Sequence, residues 1–318
     1  MKNREWNSME EQGSSLWKDA FLRLSRNRAA MFSLLALVLI VAACFLGPLL
    51  PWLPHPNVQD LSRIAESPSW QHWFGTDQLG RDLLARVLYG GRISLLVGVV
   101  ATGVSLVIGV TYGLVSGYAG GRLDALMMRL VDVLFALPFI VLVIIFSLSV
   151  EEPAQQLTQW VSGVTGWSVE MVSPMTGLIP LFIAIGALGW LTLARIVRTQ
   201  TLELKGQEFV EAARSLGIGH MKILFRHIAP NLFGSVIVYT TLAVPGIMLL
   251  EAVLSFLGLG VKAPNSSWGT LIKEGAARME VSPELLLFPA LLFSATLLAL
   301  NFLGDGLRDA LDPKSSKD

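Results

Sequence analysis

Long apolar runs divide the chain into six segments that are each long enough to cross a membrane. A spanning helix needs about 20 mostly apolar residues, because it must cover roughly 30 Å of hydrocarbon. Charges are rare within the runs: the third has Arg129 and Asp132 near its start, and the fifth has Glu251. We therefore predict an all-α integral membrane protein with six transmembrane helices. The predicted spans are 29–50, 93–117, 125–150, 177–194, 232–260 and 285–304.

Lysine and arginine are unevenly distributed between the two sides that these spans define. With the N-terminus inside, 17 of the 24 Lys and Arg residues are cytoplasmic and 7 are outside. Because cytoplasmic loops carry an excess of these residues, both termini are predicted to be cytoplasmic, an N-in/C-in topology. The predicted organisation is a cytoplasmic segment 1–28, a first transmembrane helix 29–50, an outside segment 51–90, a transmembrane domain 91–305 with a cytoplasmic loop 199–231, and a cytoplasmic tail 306–318.

A polar stretch interrupts the apolar pattern between the fourth and fifth spans. Residues 208–231, EFVEAARSLGIGHMKILFRHIAPN, carry five charges and two histidines. Apolar residues at helical spacing predict a short helix in the first half, and two glycines then predict a helix stop and a turn. The apolar positions are Phe209, Ala212, Ala213 and Leu216, and the glycines are Gly217 and Gly219.

A second short helix is predicted in the other half of this stretch. Met221, Leu224, Phe225 and Ile228 recur at helical spacing, and Pro230 is expected to end the helix before the fifth span. Helices of about ten residues are not stable alone in water. Burying one large apolar side chain contributes roughly 1.5–3 kcal/mol, so a partner protein is the expected cover for these apolar stripes. An interfacial helix hairpin without a partner is the alternative.

Two of the spans contain internal patterns. Ser105, Gly109, Gly113 and Gly117 recur every fourth residue in the second span, and small residues at this spacing let membrane helices pack closely. Pro245 and Gly246 should kink the fifth span near its middle. A kinked helix can line a transport path or simply accommodate packing, and both interpretations stand.

Composition and missing motifs exclude several functions. The chain is 53% hydrophobic and 15% charged with zero formal net charge, which suits a membrane protein and gives no footprint for nucleic acid. The single cysteine, Cys44, excludes an intramolecular disulfide and any site with several cysteine ligands. No Gly-Lys pair occurs, so the phosphate-binding loop G-x-x-x-x-G-K-[ST] is absent. We expect no catalytic site, no metal site and no cofactor in this chain.

The segment EAARSLGIGHMKILFRHIAPN resembles the EAA motif of the membrane subunits of binding-protein-dependent ABC importers. The matching positions are Glu211, Ala212, Ala213, Gly217 and Pro230. In that family the segment docks on the cytoplasmic ATPase. His227 stands where the general pattern has an aliphatic residue, and the HIAPN form resembles the peptide and nickel branch.

Three further stretches resemble the same branch: FGTDQLGRDLLARVLYGGRISLLVG (74–98), EAVLSFLGLGVKAPNSSWGTLI (251–272) and NFLGDGLRDALDPK (301–314). The N-terminal stretch SLWKDAFLRLSRNRAAMFSLLALVLI resembles the C-type subunits of oligopeptide permeases. The outside loop predicted from Glu151 to Pro174 is longer than this resemblance leads us to expect.

The resemblance implies a type I importer bundle of the MetI-like kind in a bacterial inner membrane. It implies as partners a homologous second permease, two ABC ATPase subunits that use ATP and Mg, a periplasmic peptide-binding protein, peptide substrate and membrane lipid. The ATPase-coupling residues would be Glu211, Ala212, Ala213, Gly217, Leu224, Phe225, His227 and Pro230. The translocation path or gate would involve Pro245, Gly246, Glu251 and Trp268.

Other transport functions remain as alternatives. A dipeptide or nickel importer of the same family is the nearer one. An ion-coupled secondary transporter is remote; it would use membrane-embedded carboxylates such as Asp132 and Glu251 at one midplane site. Those two residues are predicted near opposite ends of their spans, and we expect Asp132 to pair with Arg129 or a neighbouring helix. Trp70, Trp73 and Trp268 are either membrane-interface anchors or parts of the periplasmic surface.

Overall fold

The computed structural model describes residues 16–311, and the regular structure of this part of the chain is helical, with a long irregular segment at 50–82. The helices are α1 (Leu16–Arg26), α2 (Arg28–Leu46), α3 (Leu83–Ala119), α4 (Gly121–Ala136), α5 (Phe139–Thr165), α6 (Val169–Thr176), α7 (Ile179–Lys205), α8 (Glu208–Ser215), α9 (His220–Ile223), α10 (Ala229–Phe256), α11 (Trp268–Ala276) and α12 (Glu284–Leu311). A short 3₁₀ turn (Gly47–Leu49) follows α2, and a π-helical turn (Leu224–Ile228) joins α9 to α10.

Within residues 16–311, six helical stretches are long and apolar enough to cross a membrane, which confirms the predicted architecture. They are α2 with its 3₁₀ turn, α3, α5, α7, the continuous stretch from α9 to the end of α10, and α12. The second of them is longer than predicted. It begins at Leu83, where Asp82 caps it by accepting a hydrogen bond from the Ala85 backbone N at 2.7 Å.

The third span differs from the prediction of 125–150. Helix α4 ends at Ala136 and α5 starts at Phe139. Leu137 between them is extended (φ −85°, ψ 145°), the conformation that a following proline such as Pro138 imposes. Arg129 and Asp132 therefore lie on α4, outside the span. Helix α5 continues to Thr165 and α6 follows, so the loop predicted over 151–174 is mostly helix.

Helices α3 and α7 pack along most of their length, and the predicted small-residue stripe lies between them. All four stripe residues, Ser105, Gly109, Gly113 and Gly117, are buried. A Cβ added to Gly113 would lie 2.6 Å from the Ala194 carbonyl oxygen, and one added to Gly117 would lie 2.7 Å from that of Arg198. The Ser105 hydroxyl donates to the Gly186 carbonyl at 3.0 Å. The stripe is a packing surface, as predicted.

Pro230 was predicted to end a helix before the fifth span and Pro245 to kink that span, but the helical stretch His220–Phe256 contains both prolines. Pro230 lies at the start of α10, directly after the wider π turn, and the helix passes through it into the fifth span. The prediction that Pro230 ends a helix is therefore wrong. Pro245 lies further along α10, and the helix continues through it to Phe256.

Ion pairs hold the outside segment before α3 against α11. The Arg86 guanidinium is buried and donates from Nη1 to Asp77 Oδ2 at 2.7 Å and to Glu274 Oε2 at 2.6 Å. Asp77 also accepts from Arg81 Nε at 2.7 Å. Since α11 lies just after the fifth span, these contacts join residues from both halves of the chain at one end of the bundle.

Candidate functional site

The EAA-like segment forms two short helices joined by a tight left-handed turn. Helix α8 ends at Ser215, and Gly217 adopts φ +75°, a conformation that glycine reaches without steric cost. The Ile218 N–H then donates to the Ala213 carbonyl at 3.1 Å. This bond across the end of the helix defines a Schellman motif. The turn predicted at Gly217 is thereby confirmed, with its geometry.

One face of the two helices is buried within the chain itself. On this face, five apolar side chains pack against residues of α3 and α7 such as Leu114 and Val197. The five are Val210, Ala213, Ile223, Leu224 and Ile228. The prediction that Leu224 belongs to the docking surface is therefore wrong, and Ala213 is buried as well. Of the predicted stripe residues, this chain therefore covers Ala213, Leu224 and Ile228.

The opposite face carries large apolar side chains in contact with solvent. Leu216 is 80% exposed, Met221 is 67% exposed and Phe225 is 59% exposed. Glu211 and Ala212 are exposed on α8 beside them. Phe225, which was predicted as a docking residue, is therefore exposed, and so are Leu216 and Met221 on the apolar stripes for which a partner protein was the expected cover. Exposed apolar residues grouped at a turn beside a charge are typical of a protein-binding surface.

The base of this segment is tied to the cytoplasmic ends of α3 and α7. The Tyr118 hydroxyl lies 2.9 Å from His220 Nδ1. Lys205 Nζ donates to the Tyr118 carbonyl at 2.6 Å and lies over the Tyr118 ring. These contacts place His220, at the start of α9, in one hydrogen-bonded group with two of the spanning helices.

A second ionic group connects α4, α3 and α7. Arg198 forms a bidentate pair with Asp124, with Nε donating to Oδ1 at 2.5 Å and Nη2 to Oδ2 at 2.6 Å. Ser116 also donates to Asp124. These hydrogen bonds, chiefly those from Arg198, hold the pKa of Asp124 below its usual value. No local sequence pattern predicts this pair, because its partners are 74 positions apart.

His227 lies half-buried in the π turn, and its carbonyl accepts a hydrogen bond from Asn231 Nδ2 at 2.6 Å. Pro230 is exposed one helical turn away. The structure thus places the predicted coupling residues on two sides: Glu211, Ala212, Phe225 and Pro230 at the surface, and Ala213 and Leu224 inside.

The residues predicted for the path or gate are also divided. Glu251 and Trp268 are fully buried. Ser94 donates to Glu251 Oε2 at 3.1 Å and Ser255 donates to Oε1 at 2.6 Å. The Trp268 indole donates to the Val87 carbonyl at 2.9 Å, so Trp268 is a core residue and the interpretation as an interface anchor is wrong.

Pro245 is buried, whereas Gly246 borders an apolar cavity of about 390 Å³ between α5, α7 and α10. A Cβ added to Gly246 would have no neighbouring atom within 4 Å. Of the four predicted path residues, Gly246 therefore faces open space in this conformation.

Asp132 pairs with a neighbouring helix, which was one of the two predicted partners. Arg195 Nη2 donates to Asp132 Oδ1 at 2.7 Å, and the two side chains are largely exposed. This pair lies in the half of α7 that leads towards α8, whereas Glu251 lies near the end of α10 that leads towards α11. The two carboxylates do not form one midplane site.

Comparisons with known families identify the class of this bundle. Residues 109–317 match the family described as "Binding-protein-dependent transport system inner membrane component". Residues 15–68 match "N-terminal TM domain of oligopeptide transport permease C". The chain belongs to the family of binding-protein-dependent inner membrane components. It is a non-catalytic permease subunit of an ABC transporter, and ATP is hydrolysed in partner ATPase subunits.

Individual relatives are similar over nearly the full chain. The oligopeptide transport system permease protein OppC of Haemophilus influenzae is 47% identical over 96% of this chain and 91% of its own length. The OppC protein of Escherichia coli K12 is 47% identical over 96% of this chain and 94% of its own. The dipeptide transport system permease protein DppC of Bacillus subtilis is 41% identical over 98% of this chain and 90% of its own.

Proposed function

We propose that this chain is one of two membrane subunits through which oligopeptides enter the cytoplasm. Its partners would be a homologous second permease, two ATPase subunits and a periplasmic peptide-binding protein. The similarity to oligopeptide permeases over almost the whole chain supports this substrate class. The dipeptide permease, at 41% identity, makes dipeptides the second candidate substrate.

The observation that carries the proposal is the exposed face at the turn between α8 and α9. Leu216, Met221 and Phe225 present apolar surface to solvent beside Glu211, on helices whose opposite face is buried in the bundle. Such a surface suits the apolar groove of an ATPase subunit, with Glu211 as the charged contact.

The contacts of α8 and α9 with the spanning helices determine how movement would pass from an ATPase to the bundle. Helix α9 continues through the π turn into α10 without a flexible linker. His220 contacts Tyr118 at the end of α3, and the buried face of α8 packs against α7. A displacement of the docked turn would therefore move three spanning helices together, since a packed core transmits strain.

Affinity purification tests the docking surface. The tagged chain would be extracted from membranes in mild detergent, as the original sequence and with Glu211→Arg or Phe225→Asp, and the accompanying proteins identified by mass spectrometry. We expect a second permease and two ATPases with the original chain, and loss of the ATPases alone with either variant.

The matched control is Glu280→Arg, because Glu280 is an exposed carboxylate between α11 and α12 on the other side of the membrane. It should retain all partners. Retention of the ATPases by Glu211→Arg and Phe225→Asp would show that the docking face lies elsewhere.

A further inference from the structure

A cavity of about 260 Å³ with both polar and apolar lining residues lies between α5, the start of α7 and the segment that follows α10. One wall is the part of α5 that extends past Val150, and another is the junction of α6 with α7. The segment 258–265, which follows α10, closes the third side. The region that the sequence presented as an unusually long loop is therefore the region that builds this cavity.

Two threonine hydroxyls form the buried part of the lining. The Oγ1 atoms of Thr158 and Thr176 lie 2.6 Å apart, and both residues are more than nine-tenths buried. One threonine hydroxyl donates to the other, and the carbonyls of Ala154 and Val172 lie 2.8 Å from Thr158 Oγ1 and 3.1 Å from Thr176 Oγ1. The two hydroxyls have two hydrogens and four lone pairs between them, so lone pairs remain after these contacts. The threonine pair can therefore accept hydrogen bonds from the N–H groups of a ligand.

An ion pair spans the opening of the same cavity. Lys262, from the segment after α10, pairs with Glu151 on α5, and their side chains are 64% and 35% exposed. Exposed ion pairs contribute little to stability, so a ligand can separate this one at low cost. A ligand with a single charge would leave the other partner unpaired, whereas a ligand with both charges satisfies both.

We propose that this cavity is a peptide subsite at the periplasmic entrance of the transporter, specific for short peptides with free ends. Glu151 binds the α-ammonium group, Lys262 binds the carboxylate, and the threonine pair accepts hydrogen bonds from peptide N–H groups. The cavity lies just below the range of about 300–1,000 Å³ that is typical of small-molecule pockets, so it takes two or three small residues. The inference rests on the proposed function, since it names the peptide ends that this chain would recognise.

A binding experiment with end-blocked peptides tests the two charge contacts separately. The complex of both permeases and the ATPases, without the binding protein, would be placed in lipid nanodiscs and titrated with trialanine, N-acetyl-trialanine and trialanine amide. Saturation-transfer NMR gives the Kd of each peptide. We expect Glu151→Gln to raise the Kd roughly three- to tenfold for peptides with a free amine and to leave that of the acetylated peptide unchanged.

Lys262→Gln should show the converse pattern. The Kd should rise for peptides with a free carboxylate and remain unchanged for the amide. Arg278→Gln removes one exposed positive charge from the same outer surface and is expected to change none of these values. Equal changes for blocked and free peptides in both variants, or no binding of trialanine to the original complex, would overturn the subsite.

ATP-driven uptake of trialanine by the original transporter with its binding protein, measured in parallel, separates the two proposals. If trialanine is taken up but the Kd values of free and end-blocked peptides lack the predicted differences, the subsite is wrong and the proposed function stands. Absence of peptide uptake removes the proposed function and the subsite with it.

Discussion

Glu251 is a fully enclosed side chain, and its two oxygens accept hydrogen bonds from Ser94 and Ser255. Ser94 belongs to α3, and it also accepts a hydrogen bond from the Trp268 backbone N at 3.1 Å. Glu251 thus links α10 to α3 and to the start of α11. A carboxyl group in this position stabilises the packing of three helices, and nothing in its contacts requires it to bind a transported ion.

Replacement of Glu251 separates this structural role from ion coupling. Glu251→Ala should lower the stability by about 1–3 kcal/mol, because it leaves buried hydroxyl groups without their acceptor. Glu251→Gln keeps one acceptor oxygen and should retain most stability and peptide uptake. Thermal unfolding in detergent and uptake in vesicles measure the two effects. An ion-coupled mechanism predicts the same stability for Glu251→Gln but the opposite result for transport, namely that uptake is abolished.

Asp124 gives the protein a pH-dependent contribution to stability. Its pKa is lower in the folded protein than the usual 3.8, because Arg198 donates to the carboxylate. The contribution is therefore complete above pH 3.8 and is lost as the pH falls through the folded pKa. Asp124→Asn should lower the Tm at pH 7 by about 2–4 °C and remove this part of the acid dependence. A Tm profile identical to that of the original chain from pH 3 to 7 would refute the assignment.

At the scale of the helix, contact between α3 and α7 depends on glycines that leave no room for a side chain. Gly113→Ala places a Cβ 2.6 Å from the Ala194 carbonyl oxygen and should destabilise the bundle by about 1–3 kcal/mol. Gly103→Ala on the same helix is the matched control, because no atom lies within 4 Å of its added Cβ. The control should be neutral or slightly stabilising, since alanine favours helix over glycine. Equal melting temperatures for the two variants would contradict this packing.

The turn between α8 and α9 depends on backbone conformation alone. Gly217 has φ +75° with no atom near its Cβ position, whereas Gly219 has φ −63°. Proline fixes φ near −65°, so Gly217→Pro breaks the turn and Gly219→Pro fits it. We expect peptide uptake to be abolished in the first and retained in the second, with equal membrane insertion. Normal uptake by a well-expressed Gly217→Pro variant would contradict the role of this turn.

For the whole molecule, hydropathy predicted the number of spans, because the bilayer fixes the length of a spanning helix. The left-handed turn at Gly217 was also predictable, since few other residues adopt that conformation. The small-residue stripe of α3 was predicted as a packing surface and is one.

Other features depended on neighbours that are distant in sequence. Helical spacing identified Leu224 and Phe225 as parts of one apolar stripe. It could not predict that α3 and α7 cover Leu224 and leave Phe225 exposed. Trp268 has the type and position of an interface anchor, and its burial follows from contacts with α3 that no local pattern contains. Pro230 was predicted to end a helix because the π turn before it has no sequence signature.

The central claim is that this subunit imports peptides with energy from partner ATPases, and transport in proteoliposomes tests it most directly. The complete complex would be reconstituted with ATP and Mg²⁺ on the ATPase side and with binding protein and labelled peptide on the other. We predict uptake that requires both ATP and the binding protein and that is lost with Glu211→Arg. Uptake that continues without ATP and follows an imposed ion gradient would contradict the account.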